Sequence, residues 1–300
     1  MKVFVTGATG VLGRFAVRAL LDDGHQVTGL ARGLDKARSL EAVGATSAYV
    51  HLFDVAELTE ILRGFDAVCN LATHIPVGVA GLRRGSWRVN DRLRTEGSRS
   101  VATAAEVAGV RRLVQESVSF LYTDGGEAWI TETSPLSVTR ALEPAAVAEA
   151  NAATFASASR EAVVLRFGNV VGDEPATRWL VERARAGRPI GFGEADNWAH
   201  LVHPEDAGTA VAAALHAPSG VYNVGADPVR RGAMLGVFGE VADRSTVGFL
   251  PRLVVKMAGE RLEPLTRSHR ISSAKLHEVT GWKPAHPVFD PQWIKAPSAR

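Results

Sequence analysis

One cysteine stands among 300 residues, so no disulfide forms within the chain. Cys69 lies inside the apolar run FDAVCNLA and reads as a buried, inert thiol rather than a nucleophile or ligand. No apolar stretch reaches membrane-spanning length, and MKVFVTG runs into a strand with no charged leader or cleavage site, so no membrane segment or signal peptide is expected. An excess of one charge is lacking too. The formal net charge is +2 with arginines spread along the chain, which excludes a nucleic-acid or membrane partner and favours a small molecule. A cytoplasmic protein, monomer or homodimer, is the expectation. The absence with most chemical weight is lysine, which does not occur between Lys36 and Lys256, and tyrosine occurs only as Tyr49, Tyr122 and Tyr222.

What is present is an ordinary globular composition, 46% hydrophobic and 22% charged, which points neither to disorder nor to a fibrous repeat. Apolar runs alternate with helix-period segments through the first half: KVFVTG, VLGRFAVRALLDDG, HQVTGLAR, LDKARSLEAVG, TSAYVHLFDV, FDAVCNLA, SWRVNDRLRTEGSRSVATAAEVAG and VRRLVQES. That alternation implies βαβ units and a parallel sheet. Gly24, Gly44, Gly64 and Gly109 each follow a helical segment, where a left-handed residue is commonly needed. After EAVVLRFGNVVG the alternation decays and Pro, Gly and Trp become frequent. Residues 1–167, completed by about 200–224, are therefore expected to form an NADP(H)-binding domain, with 168–199 and 225–300 forming a smaller substrate domain.

TGATGVLG sets Gly7, Gly10 and Gly13 three apart between a strand and a helix, with Thr9, Val11 and Leu12 in the same turn. Glycines so spaced permit a tight turn, backbone approach to a pyrophosphate and close helix–strand packing, with the phosphates at the helix N-terminus. NAD sites carry a carboxylate at the end of the second strand, but HQVTGLAR offers Ala31 and Arg32. An arginine there suits a 2′-phosphate, so NADP(H) is expected, with Arg14 as a second positive charge. Asp54, in HLFDV at the end of the third strand, is placed either for the adenine amino group or as a helix N-cap.

With TGATGVLG, NLAT, Val89 and Asn90, LRFGNVVG, HLVHPEDAGTAVAAAL and SSAKLHEVTGWKP, the chain resembles the extended short-chain dehydrogenase/reductase family along most of its length. The resemblance implies a doubly wound Rossmann core (α/β, parallel) and a small, mostly helical C-terminal substrate domain. It implies cofactor contacts from Val55 beside Asp54 and from Leu71, Ala72 and Thr73 of NLAT, and places Asn169 near the nicotinamide. The family's catalytic pair is a tyrosine followed four residues later by a lysine. Here the residues four on from the tyrosines are Phe53, Gly126 and Ala226, and the helix expected to carry the pair reads ALEPAAVAEANAATFA. The family's serine position, counted back from Tyr122, is Val118, between Ser117 and Ser119.

This departure fits three readings. The first is an NADPH-dependent ketoreductase similar to the tyrosine-less ketoreductases of aromatic antibiotic pathways, in which a phenol beside the substrate carbonyl stabilises the alkoxide. The second is an epimerase, dehydratase or lyase-like enzyme that recycles its cofactor. The third is a non-catalytic NADP(H)-sensing protein.

Candidate polar groups are His74 after the fourth strand, Ser117 and Ser119 at the end of the fifth, and Tyr122. Each also has a structural reading: a loop histidine, caps, and packing. Trp87, Trp129, Trp179 and Trp198 are candidates to wall a flat aromatic ketone, Trp198 foremost, while some would be core. His203, Glu205 and Asp206 resemble a metal set, but HPED before an alanine-rich run reads as a helix start, and no metal is expected.

Overall fold

The computed structural model describes residues 1–294, the side chains of 82 and 84 apart. Strands β1 (Lys2–Thr6), β2 (Gln26–Leu30), β3 (Thr46–Ala48), β4 (Ala67–Asn70), β5 (Arg112–Val118), β6 (Glu161–Phe167) and β7 (Gly220–Val224) build one sheet in the order 7-6-5-4-1-2-3. Every neighbouring pair is parallel. Helices α1 (Val11–Asp22), α2 (Leu34–Glu41), α3 (Val55–Leu62), α4 (Arg88–Arg92, Leu93–Gly97 and Ser98–Val107 run together), α5 (Glu143–Phe155), α6 (Pro175–Arg185), α7 (Pro204–Ala214) and α8 (Arg231–Val241) follow along the chain. The fold is the doubly wound α/β type expected from sequence.

Both faces of the sheet are covered, which is why its strands read as continuous apolar runs. Successive residues alternate between faces. Val3 and Val5 pack with Ala16, Val17 and Leu20 of α1 and with Ala207, Ala210 and Val211 of α7. Phe4 faces the other way, in a core with Leu58 and Leu62 of α3, Val101 and Ala105 of α4, and Phe155 of α5. A separate core outside the sheet joins Val181 and Ala184 of α6, Leu235 and Phe238 of α8, Phe289 and Trp293. It forms the smaller C-terminal region.

Two local differences from the sequence reading have physical causes. The run TSAYVHLFDV predicts a strand through Asp54, yet β3 ends at Ala48. It is an edge strand paired only with β2, so beyond Ala48 the chain leaves the ladder, and Asp54 caps α3 from a turn. The long helix α4 carries a π turn over Leu93–Gly97, a widening that brings Arg94 into the interior against Glu116. Gly24, Gly44, Gly64 and Gly109 do adopt positive φ.

Sheet order reverses between β1 and β4, and the crevice at such a reversal is where doubly wound sheets bind ligands. The first helix is pressed against α7 there. A Cβ added at Gly208 would lie 2.5 Å from the Phe15 carbonyl carbon, whereas one at Gly236 within α8 meets nothing within 4 Å. Gly208→Ala should therefore destabilise the protein by about 1–3 kcal/mol through overpacking. Gly236→Ala should stabilise it by about 0.5–1 kcal/mol through reduced chain entropy. Urea unfolding midpoints that move in the same direction for the two would contradict this account of the helix contact.

Candidate functional site

At the crevice the glycine turn is held by two close approaches. Gly7 has φ +65°, and a Cβ on it would lie 2.6 Å from the Leu71 carbonyl oxygen, so the turn sits directly on NLAT after β4. A side chain at Gly13 would collide with the Gly7 carbonyl. Gly10 is the N-cap of α1 and offers no side-chain cap, and the first helical turn carries no acidic residue. The amides of that turn therefore face outward without a protein anion, at the positive end of the helix dipole. Thr9, Val11 and Leu12 are partly buried in the turn, while Leu71 is buried and Ala72 and Thr73 are partly so.

Arg32 follows β2, exposed and with no partner among the described residues. Arg14 is engaged instead, donating to the Asp173 carbonyl at 2.7 Å and lying over the Phe15 ring. Asp54 accepts from the Glu57 amide at 3.0 Å, and Val55 begins the helix it caps. These residues fit a dinucleotide phosphate cradle: the turn needs glycine, the first helical turn carries no acid, and a guanidinium without a partner among the described residues follows the neighbouring strand β2.

The end of β5 is different. Ser117 is fully buried and donates to Glu149 of α5 at 2.6 Å. Glu149 also accepts two bonds from Arg166 of β6, at 2.8 and 2.7 Å. Ser119 is buried against His200, with 3.0 Å between its hydroxyl and the ring Nδ1. Burial, with His269 nearby, pushes the His200 pKa down to about 3, so the ring is neutral at pH 7. Tyr122 is buried, donates to the Asn223 side chain at 2.8 Å, and lies under the Arg166 guanidinium. Burial raises its phenol pKa above the ordinary value despite Arg166, which makes it a weaker acid. All three hydroxyls of SVSFLY thus point at protein groups, the buried His200 and Asn223 and the partly buried Glu149.

A polar chain extends this network across the sheet: Thr6 donates to Asn70, Asn70 to Gln115, and Gln115 to the Glu116 carbonyl, while Arg94 pairs with Glu116 at 2.5 Å. Glu149, Arg166, Arg94 and His200 were not among the residues singled out from sequence. A readable signal existed for two of them, since Arg166 is a charge inside the apolar strand VVLRF and Glu149 an acid inside an alanine-rich helix.

His74 and Asn169 remain exposed. The His74 amide donates to the buried Asn90 side chain at 3.1 Å, which gives the Val89–Asn90 motif its structural task of tying the loop after β4 to α4. The tryptophans do not form one wall. Trp198 donates to Glu127 at 3.2 Å and has the guanidinium groups of Arg230 and Arg270 over its ring at 3.9 and 4.9 Å, so it serves an arginine–carboxylate cluster. Trp129 lies exposed under Arg270, and Trp87 donates to the Gly81 carbonyl. Trp179 packs beside Gly78, in the same loop as His74. His203 is the N-cap before Pro204, so HPED does open α7.

The model of the NAD dependent epimerase/dehydratase family matches residues 3–225. A Streptomyces protein named 3-diazoavenalumate denitrifying reductase is 31% identical over 308 residues, covering 96% of this chain and 98% of that protein. A chloroplastic epimerase family protein of Arabidopsis thaliana, a homolog of SDR39U1, is 27% identical, over 93% of this chain and 82% of its own. Among solved structures, human SDR39U1 (isoform 2) with NADPH shares the fold, with TM-score 0.79, 23% identity, and 96% of each chain covered.

Glu149 and Arg166 are 13% and 5% exposed at the side chain, so removing one leaves the other's charge buried. Glu149→Ala should cost about 3–5 kcal/mol in unfolding free energy. The double variant Glu149→Leu with Arg166→Leu should lose clearly less. A double variant as damaged as the sum of the singles would show that charge pairing is not what the two residues contribute.

Proposed function

The chain belongs to the NAD dependent epimerase/dehydratase family, and from that premise we propose that it is an NADPH-dependent reductase acting on an aromatic electrophile that needs no proton donor from the protein. NAD(P)(H) binding comes with the family; the 2′-phosphorylated form is this proposal's own. The amides at the start of α1 would hold the pyrophosphate, Gly7 and Gly13 keep that cradle open, and Arg32 would pair with the 2′-phosphate. When bound, the reduced cofactor supplies one hydride.

The observation that carries the reading is the engagement of Ser117, Ser119 and Tyr122 by Glu149, His200 and Asn223, with no lysine between Lys36 and Lys256 to supply the family's usual partner. A carboxylate paired to an arginine stands on α5, the helix expected to carry the missing tyrosine and lysine. The substrate must then manage its own charge. In an aromatic polyketide-type ketone, a neighbouring phenol donates internally to the alkoxide formed by hydride addition, and water later supplies the proton. A second substrate class is favoured by the full-length likeness to the 3-diazoavenalumate denitrifying reductase. An arenediazonium cation that accepts a hydride becomes a neutral aryl diazene, which releases dinitrogen and leaves its hydrogen on the ring, so no external proton is required.

Four outcomes test this. NADPH oxidation should occur with a hydroxylated polycyclic ketone or with a diazotised aminocoumarate, product analysis telling them apart. Consumption with neither would sink the reductase reading and favour an epimerase or dehydratase-like enzyme or an NADP(H) sensor. Ser117→Ala, Ser119→Ala, Tyr122→Phe and His74→Ala should each keep turnover within about tenfold, because loss of a true general acid costs about 10²–10⁴-fold. With the ketone, methylating the neighbouring phenol should slow reduction more than any of these variants. Arg32→Ala should weaken NADPH by about 1.5–3 kcal/mol and leave NADH nearly unchanged, as read by calorimetry.

A further inference from the structure

Where the C-terminal segment meets the start of α7, two imidazoles and two carboxylates converge. The rings of His203 and His286 stack at 3.9 Å between centroids, and His203, Asp206 and His286 each place a possible ligand atom within 4.8 Å of the others. Asp206 is fully engaged: it accepts from the Ala285 amide at 2.7 Å and from the His286 amide and Nδ1 at 3.0 and 3.2 Å. A carboxylate only accepts, so the His286 proton is on Nδ1 and the lone pair is on Nε2. That nitrogen lies 3.7 Å from Glu205 Oε2, and the same oxygen lies 4.0 Å from His203 Nδ1. His203 Nδ1 is itself buried with no hydrogen-bond partner.

We propose that His203 Nδ1, His286 Nε2 and Glu205 bind one divalent ion of the zinc type, with water as fourth ligand and Asp206 orienting His286 from behind. Two neutral imidazoles and a carboxylate are a borderline-soft donor set that suits zinc rather than calcium or magnesium. Tetrahedral bonds of about 2.0–2.1 Å put ligand atoms about 3.3 Å apart, so Glu205 Oε2, at 3.7 and 4.0 Å from the two ring nitrogens, must move inward to close the site. Asp206 holding the far nitrogen of a ligating histidine is the arrangement that fixes the tautomer and raises ligand basicity. The ion would staple the C-terminal segment to α7. Trp293, edge-on to both rings at 5.4 and 6.3 Å, would be locked over it.

The test uses full-length, tag-free protein stripped with chelator, then dialysed with zinc chloride. One equivalent should remain, and the thermal midpoint should rise by about 5 °C at a hundredfold excess of free zinc over its dissociation constant. Cobalt should give the absorption of a four-coordinate site. Glu205→Gln, at an exposed side chain that folding does not need, and His286→Gln should each weaken zinc at least tenfold while leaving the metal-free midpoint within a few degrees. Failure of the wild-type protein to retain zinc, or zinc affinity unchanged from wild type in both variants, would overturn the assignment and mark the binding as adventitious.

Discussion

The bonds among Glu149, Arg166 and Ser117 decide what the crevice can do. They place a carboxylate, neutralised by a guanidinium and hydrogen-bonded to a serine, where α5 crosses the end of β5. Buried charge is tolerated only when paired, so the two residues bind each other, and at Tyr122 burial outweighs the pull of the guanidinium and leaves the phenol pKa raised. Tyr122 lies under the same guanidinium and turns its hydroxyl to Asn223, away from any opening. On the proposed reductase reading, chemistry at this edge of the sheet would be set by what a ligand brings rather than by an acid in the wall.

The neighbouring half of the crevice is built on the opposite logic, with polar groups left unsatisfied. The first turn of α1 has no side-chain cap and no acid, and Arg32 has no partner among the described residues. Unmet amides and an unmet guanidinium persist cheaply at a water-exposed helix end, and they are the groups a phosphorylated ligand would engage. Rigid strands carry both halves, while the loops after β1, β4 and β5 supply the contacts.

How far the primary structure reveals this varies by residue. The turn at Gly7, Gly10 and Gly13 is legible because a strand, three glycines and a helix occur in a fixed local order, and local order is what sequence encodes. Arg32 is legible for the same reason, by its place after β2. The partners of SVSFLY are not, because Glu149 lies 32 residues after Ser117 and Arg166 lies 17 after Glu149. Trp198 shows the same limit: an aromatic residue in a loop suggests a pocket wall, and only the fold shows that Arg230 and Arg270 come from distant segments to lie over its ring.

The amino-acid sequence by itself determined the parallel α/β core, the glycine cradle, the opening of α7 at Pro204 and the loss of the tyrosine–lysine pair. Each of these depends on periodicity, on a backbone requirement or on which residue types are present. Tertiary structure alone decided that every hydroxyl of SVSFLY faces a protein partner, that Asp54 caps a helix from a turn after a shortened edge strand, and that His286 joins His203 and Glu205. Those outcomes depend on which side chains meet across the sheet and between segments, and hydrogen-bond satisfaction in a buried site is settled only by that meeting.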